Sequence, residues 1–268
     1  MIVCPINLCN SNKVEFSYSF KDIKYYKCNT CLVYFQNPFP NNQNYLKKYN
    51  EEYFNDYQEN PSKTKKLRSK QYRLDLKMLK KFYKDSLKNK VLDYGCGPGN
   101  FLSSLKSKVY GYELNEDAKL HKKITRIKFN EIKKHKFDLI SLRGSIEHIP
   151  DFIIKIKLLS KQLKKNGLLF ITATPNSHNL NFRLSKKAYN QNHWGHIYHF
   201  DYVNLSYFFL KLGLYNIHTS LDYSDTVYYN FLNDYKKQKQ LLDGKGNKKK
   251  LCNPGVGNMM TLFFKKMI

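Results

Sequence analysis

Between residues 62 and 222, compact apolar runs alternate with stretches whose apolar positions recur every three to four residues. Compact runs read as buried strands, and the helical periodicity reads as helices packed on one face, so this region predicts a parallel sheet covered by helices. The spacing predicts helices near 62–88, 100–106, 116–123, 151–165 and 201–212. Strands are expected near 90–94, 108–113, 126–130, 137–142, 167–173 and 214–221. Gly167 and Gly213 each follow a Lys-bearing last turn, where a helix C-cap is wanted. Residues 1–35 are different, with short β-prone runs such as VEFSYSF, polar turns and four of the six Cys. Residues 36–61 form a Pro- and Asn-rich connector in which Tyr45, Tyr49, Tyr53 and Tyr57 stand four apart, predicting a short aromatic-faced helix. Past 222 come another helix, a Lys- and Gly-rich loop and a last strand, MMTLFFKK. The expected domains are therefore 1–35, a connector over 36–61, and 62–268.

Composition narrows the class. With 268 residues, 41% hydrophobic and 15% aromatic, the chain can bury a large core. No apolar run approaches the roughly 18 residues a spanning helix needs. No secretory pattern precedes Cys4, so the expected compartment is the reducing cytoplasm, where clustered Cys point to metal rather than to bridges. The net charge of +26 raises the question of an acidic partner. Nearly all the basic residues are Lys, and they accompany abundant Asn, Tyr, Ile and Phe, the set that A/T-rich codons encode, so base composition accounts for much of the surplus.

The strongest chemical signal is VLDYGCGPGNFL, residues 91–102. An apolar strand runs into Asp93, and Gly95, Gly97 and Gly99 follow at alternate positions. Such glycines let the backbone take positive φ and let a ligand approach without a Cβ clash. A dinucleotide fingerprint wants a third glycine where this chain has Asn100. Asp93 is poorly placed for a pyrophosphate and well suited to a ligand ammonium. Glu113 closes the next strand, in KVYGYELN, where its two oxygens can accept both hydroxyls of a ribose.

These residues resemble the class I S-adenosylmethionine-dependent methyltransferases, and the resemblance extends over nearly the whole chain. Asp93, Gly95, Gly97 and Gly99 match the first motif, and Glu113 matches the ribose-binding acid. FDLISLRGSIEHIPD (137–151) is similar to the fourth-strand segment and NGLLFITATPN to the fifth strand. The fold implied is a doubly wound, Rossmann-like sheet of seven strands with an antiparallel last strand, preceded by a small zinc-ribbon-like module. The cofactor implied is S-adenosylmethionine, with Asn130, Arg143 and Glu147 as further cofactor-side positions. YKCNTCLVYFQNPFP and WGHIYHFDYVNLSYFFLKLGL resemble the subgroup with an N-terminal Cys knuckle, His196 and Phe200 falling on its H-x-x-x-F. In some quinone-ring O-methyltransferases an acid three residues before the Glu-His pair helps bind a divalent metal. Gly144 stands there in this chain, so no such metal is expected. The subgroup implies a small hydroxylated acceptor, phosphorylated or nucleotide-linked, from surface polysaccharide synthesis.

Three further clusters carry alternatives. Cys4-x4-Cys9 and Cys28-x2-Cys31 can meet on one structural Zn, and otherwise are four thiols of a degenerate site. His193, His196 and His199 step through a Trp-Gly loop after the fifth strand. A methyl transfer to a hydroxyl needs a base, for which His196 is the first candidate and His148 the second. Twelve Lys or Arg crowd residues 62–90. On a helix, Lys63, Lys66, Lys70, Arg73, Lys77, Lys80, Lys84 and Lys88 form a stripe opposite Tyr72, Met78, Leu79 and Phe82, either a solvated face or a landing strip for a polyanion. An RNA methyltransferase, or a zinc-bearing nucleic-acid binder without catalysis, is therefore the competing reading.

Overall fold

The computed structural model describes residues 2–6, 9, 11–40, 45, 47, 49, 51, 61–179, 182–183, 195–221, 231–244, 257 and 259–267. In chain order the elements are β1 (Val14–Phe20), β2 (Ile23–Cys28), β3 (Tyr34–Gln36), α1 (Pro61–Phe82), β4 (Lys90–Tyr94), β5 (Lys108–Tyr112) and β6 (Ile124–Arg126). There follow α2 (Phe129–Ile132), β7 (Phe137–Arg143), α3 (Phe152–Gln162), β8 (Leu163–Pro175), β9 (Tyr198–His199), α4 (Tyr202–Leu210), β10 (Leu214–Ser220), α5 (Phe231–Leu242) and β11 (Met259–Lys266).

Seven strands form one sheet in the order β10-β11-β8-β7-β4-β5-β6. β4, β5, β6, β7 and β8 run parallel, and β11 is antiparallel to both β8 and β10. The seven-stranded, doubly wound sheet with an antiparallel last strand is thus the one expected. Its strands are continuous apolar runs because both faces are covered: Val91, Leu92, Leu139, Ile140, Leu142, Phe170 and Ile171 are all but sealed from solvent. Phe263 of β11 stacks on Phe170 of β8 at 4.5 Å and meets Phe82 of α1 at 4.4 Å, which ties the last strand and the first long helix into one core. The chain leaves β4 toward β5 and β6 and then returns to β7 on the other side. That reversal opens a crevice at the carboxyl ends of β4 and β7, the place where open α/β sheets bind ligands.

A second sheet, β1-β2-β3-β9, is antiparallel throughout. Its first three strands come from the N-terminal segment and its fourth from residues 198–199, so the N-terminal module is joined to the loop that follows the fifth strand of the large sheet.

Local differences from the sequence reading have local causes. Residues 100–106 and 116–123 form turns, not helices. After the glycines the chain closes with a three-residue bond from Leu105 N to Leu102 O, and Asn115 captures the Asp117 amide in an Asx turn. The third strand is shorter and earlier than expected; of the apolar positions after it, Ile127 is buried in the link that follows and Phe129 and Ile132 belong to α2. Gly213 takes φ +75° after α4, as a C-cap should, but Gly167 lies inside β8 and the left-handed residue there is Asn166. Along α1 the described side chains Lys66, Lys70, Arg73, Lys77 and Lys80 are exposed while Leu79 is buried. Lys84 and Lys88, also exposed, lie beyond the end of the helix. No helix among the described residues is long and apolar enough to cross a membrane.

Candidate active site

The glycine turn sits at the crevice. Gly95 holds φ +77°, and a Cβ there would come within 2.8 Å of the Ser145 Cβ; Gly99 holds φ +76°, and its Cβ would meet Ile124 Cγ1 at 2.7 Å. Only glycine satisfies both the dihedral and the space. Glu113 stitches this turn to the next strand. One of its carboxylate oxygens accepts from the Gly97 amide at 2.8 Å, and the other accepts from the Asn115 amide at 3.1 Å and from the Tyr49 hydroxyl at 3.4 Å. A carboxylate offers about four acceptor positions and three are taken, so one remains for a ligand hydroxyl. Asp93, at the end of β4, is buried, and burial pushes its carboxyl up to about 7; Arg143 pulls it down and Glu113 adds to the rise. A turn with glycine at three alternate positions, a buried carboxyl suited to an ammonium and a carboxylate suited to a ribose hydroxyl fit S-adenosylmethionine.

Arg143 donates from Nε to Asp75 of α1 at 2.8 Å, and its guanidinium lies 4.7 Å from the Tyr72 ring centre and 5.4 Å from that of Phe101. It therefore clamps α1 over the sheet. Asn130 is exposed on α2.

Glu147 and His148 follow β7 on a single 3-10 turn, and His196 comes to them from the loop before β9. Glu147 is buried, which pushes its carboxyl up to about 7; Thr174 donates to it at 3.2 Å. His148 Nδ1 donates to the Gly195 carbonyl at 2.7 Å, and its Nε2 lies 4.0 Å from Glu147. The His196 and His148 rings meet edge to face at 4.6 Å. Ligand atoms of Glu147, His148 and His196 lie within 4.8 Å of one another, although Gly144 contributes no acid. His199 is a different case. It is enclosed by Tyr18, Tyr25 and Phe182, and burial pulls its imidazole down to about 3, so it stays neutral inside the core. His193 and Trp194 lie outside the described residues, as do Tyr53 and Tyr57.

The connector tyrosines are functional neighbours that the sequence reading assigned only to a helix face. Tyr49 reaches Glu113, and Tyr45 donates to the carbonyls of His148 and Gly195 at 3.3 and 3.1 Å. Their four-residue spacing was visible, but not what the face would cover.

In the N-terminal module the sulfurs of Cys4, Cys9, Cys28 and Cys31 gather within 4.8 Å of one another. Cys4 and Cys31 are 3.6 Å apart and Cys9 and Cys28 3.7 Å, too far for disulfides and close enough for one tetrahedral ion. Contact between Cys4 and Cys31 holds the Cys31 thiol down and pushes the Cys4 thiol up, and burial pushes Cys9 up. The donor set fits a closed structural Zn site.

The sheet order, the glycine cradle and the acid at the end of β5 define a class I S-adenosylmethionine-dependent methyltransferase. Residues 49–219 match the family described as "Methyltransferase domain", and the chain belongs to that family. A ubiquinone biosynthesis O-methyltransferase from Pelagibacter ubique is 40% identical over 102 residues, covering 32% of this chain and 42% of that protein. This chain thus matches less than half of the relative's length. Among solved structures, the 1,6-didemethyltoxoflavin-N1-methyltransferase of Burkholderia thailandensis shares the fold with a TM-score of 0.53 at 10% identity, covering 95% of this chain and 100% of that one. A SAM-dependent methyltransferase from Archaeoglobus fulgidus gives a TM-score of 0.52 at 18% identity, over 75% of this chain and 96% of its own.

Proposed function

We propose that this methyltransferase is a cytoplasmic enzyme that methylates a hydroxyl oxygen of a small acceptor. The observation that carries the reading is the pairing of His196 with His148 on the segment after β7, whose Ser145 lies against Gly95. The cofactor, when bound, supplies an electrophilic methyl on its sulfonium. Asp93, Gly95, Gly97, Gly99 and Glu113 hold and orient it. His196 accepts the proton of the acceptor hydroxyl as the new C–O bond forms, and the buried walls around it exclude water. Cys4, Cys9, Cys28 and Cys31 hold one structural Zn. Oxygen as the methylated atom is supported by the name of the Pelagibacter relative. A sugar or nucleotide-linked intermediate of surface polysaccharide synthesis is the acceptor class that the Cys-knuckle resemblance supports.

The test is methyl transfer from labelled S-adenosylmethionine to a panel of nucleotide sugars and catechols. His196→Ala should lose roughly 100- to 10,000-fold in turnover with S-adenosylhomocysteine affinity unchanged. The wild-type rate should rise with pH as imidazole becomes neutral. Near-normal turnover of the variant would transfer the role to His148. The spacing of Glu147, His148 and His196 supports a second reading, a divalent cation that binds the acceptor's oxygens. Loss of turnover in EDTA, restored by Mg2+, would favour it.

A further inference from the structure

The geometry points to Tyr25 and Gln36, on the N-terminal sheet, as positioning residues for His196. The inference rests on the reading of His196 as the acceptor-side base. Both side chains converge on one main-chain atom. The Tyr25 hydroxyl donates to the His196 carbonyl at 3.1 Å, and the Gln36 Nε2 donates to the same carbonyl at 3.0 Å and to the Tyr25 hydroxyl at 3.2 Å. The Gln36 amide also donates to the Ile197 carbonyl at 2.9 Å. Tyr25 and Gln36 face each other in the β2–β3 register, and both are buried. A buried phenol and carboxamide are costly unless paired, and their shared partner is the peptide that carries His196.

The opposite side of that peptide is held as well. The Ile197 amide donates to the Glu147 carbonyl at 2.9 Å, and the His196 ring abuts that of His148. Residues 195–197 are thus clamped between the loop after β7 and the N-terminal sheet. Two donors on one carbonyl fix the plane of the 196–197 peptide, and that plane sets the direction in which the imidazole leaves the backbone. Tyr25 itself is rigid, stacked on Tyr18 at 4.9 Å and set edge-on to His199 at 4.5 Å. The N-terminal module thereby builds one wall of the acceptor side.

The experiment uses full-length protein with isotope-labelled histidine and bound S-adenosylhomocysteine, observed by NMR, with His196 identified through His196→Gln. Tyr25→Phe keeps the ring packing and removes only the hydroxyl, and Gln36→Met removes both side-chain donors. Each should shift or broaden the His196 ring signals, and the pair together should do so most. The signals of His135, packed on Tyr110, and His218, packed on Phe82, should stay in place, with S-adenosylhomocysteine affinity unchanged. An unmoved His196 signal in the double variant overturns the proposal. So does loss of the His135 and His218 signals in Tyr25→Phe, because the hydroxyl would then support the whole fold and not one ring. Normal turnover of His196→Ala is a separate result: it removes the base assignment and leaves this measurement standing.

Discussion

Glu113 accepts three hydrogen bonds from its own chain, so one side chain couples the glycine turn, the turn after β5 and the connector tyrosine. On the reading of Glu113 as the ribose acceptor, Glu113→Ala removes that acceptor and frees the turn together. Charge-assisted bonds contribute about 1.5–3 kcal/mol each, so S-adenosylhomocysteine affinity should fall at least about tenfold by calorimetry. Equal affinity in the two proteins would remove Glu113 from the cofactor site. Asp93 yields a prediction whose sign follows from burial. With its carboxyl raised to about 7, the protonated form is preferred in the folded protein, and the stability this gives is complete below about pH 4 and lost as pH rises through 7. A ligand ammonium favours the carboxylate instead. Binding below pH 7 must therefore release a proton, and affinity should climb from about pH 5.5 to 7 and then level. Calorimetry in buffers of different ionisation heat reads the proton directly. Asp93→Asn should abolish both the release and the climb.

At the scale of elements, the N-terminal sheet packs rings of its own, Tyr18 on Tyr25 and Phe16 on Tyr26, gathers four sulfurs at one end of β2 and pairs with β9 through β3. Small segments of this kind are ordinarily stapled by metal. Purified protein should carry about one Zn per chain, and Cys28→Ser should lose it and expose residues 1–35 to protease. S-adenosylhomocysteine affinity should be spared relative to Glu113→Ala, because the cradle belongs to the large sheet. Metal-free wild type with a protease-resistant N-terminus would count against the staple. Helix α1 serves the large sheet similarly through Arg143 and Asp75, an ion pair whose Asp75 side chain is only 6% exposed.

For the molecule as a whole, the charge of +26 bears on partners rather than on fold. The stripe on α1 is solvated along its described length, and its opposite face packs on the sheet. An enzyme for small metabolites should bind RNA no better than the general affinity of basic proteins, a Kd of about 10⁻⁴–10⁻⁶ M at physiological salt. S-adenosylhomocysteine binding should change little over the same salt range. RNA binding tighter than this, with a steep loss as salt rises, would favour RNA as the acceptor. Filter binding across a salt series measures it.

All but one of the large sheet's strands, the glycine turn, the acid after β5 and the paired Cys were legible in the sequence because each is a local pattern: an apolar run, a residue type that permits positive φ, an acid at a strand end, a ligand spacing. Helices near 100–106 and 116–123 were misread because weak periodicity there competes with turn bonds from Leu102 and Asn115. Other features depended on residues far apart in the chain. Tyr45 meets Gly195, Arg143 meets Asp75, and Tyr25 and Gln36 meet the His196 carbonyl. No spacing rule encodes such pairs, since each partner is chosen only when two sheets and a helix have packed. The glycine turn and its acid were therefore determined by the sequence itself, and the surroundings of His196 were decided by tertiary structure, because they are drawn from separate stretches of chain.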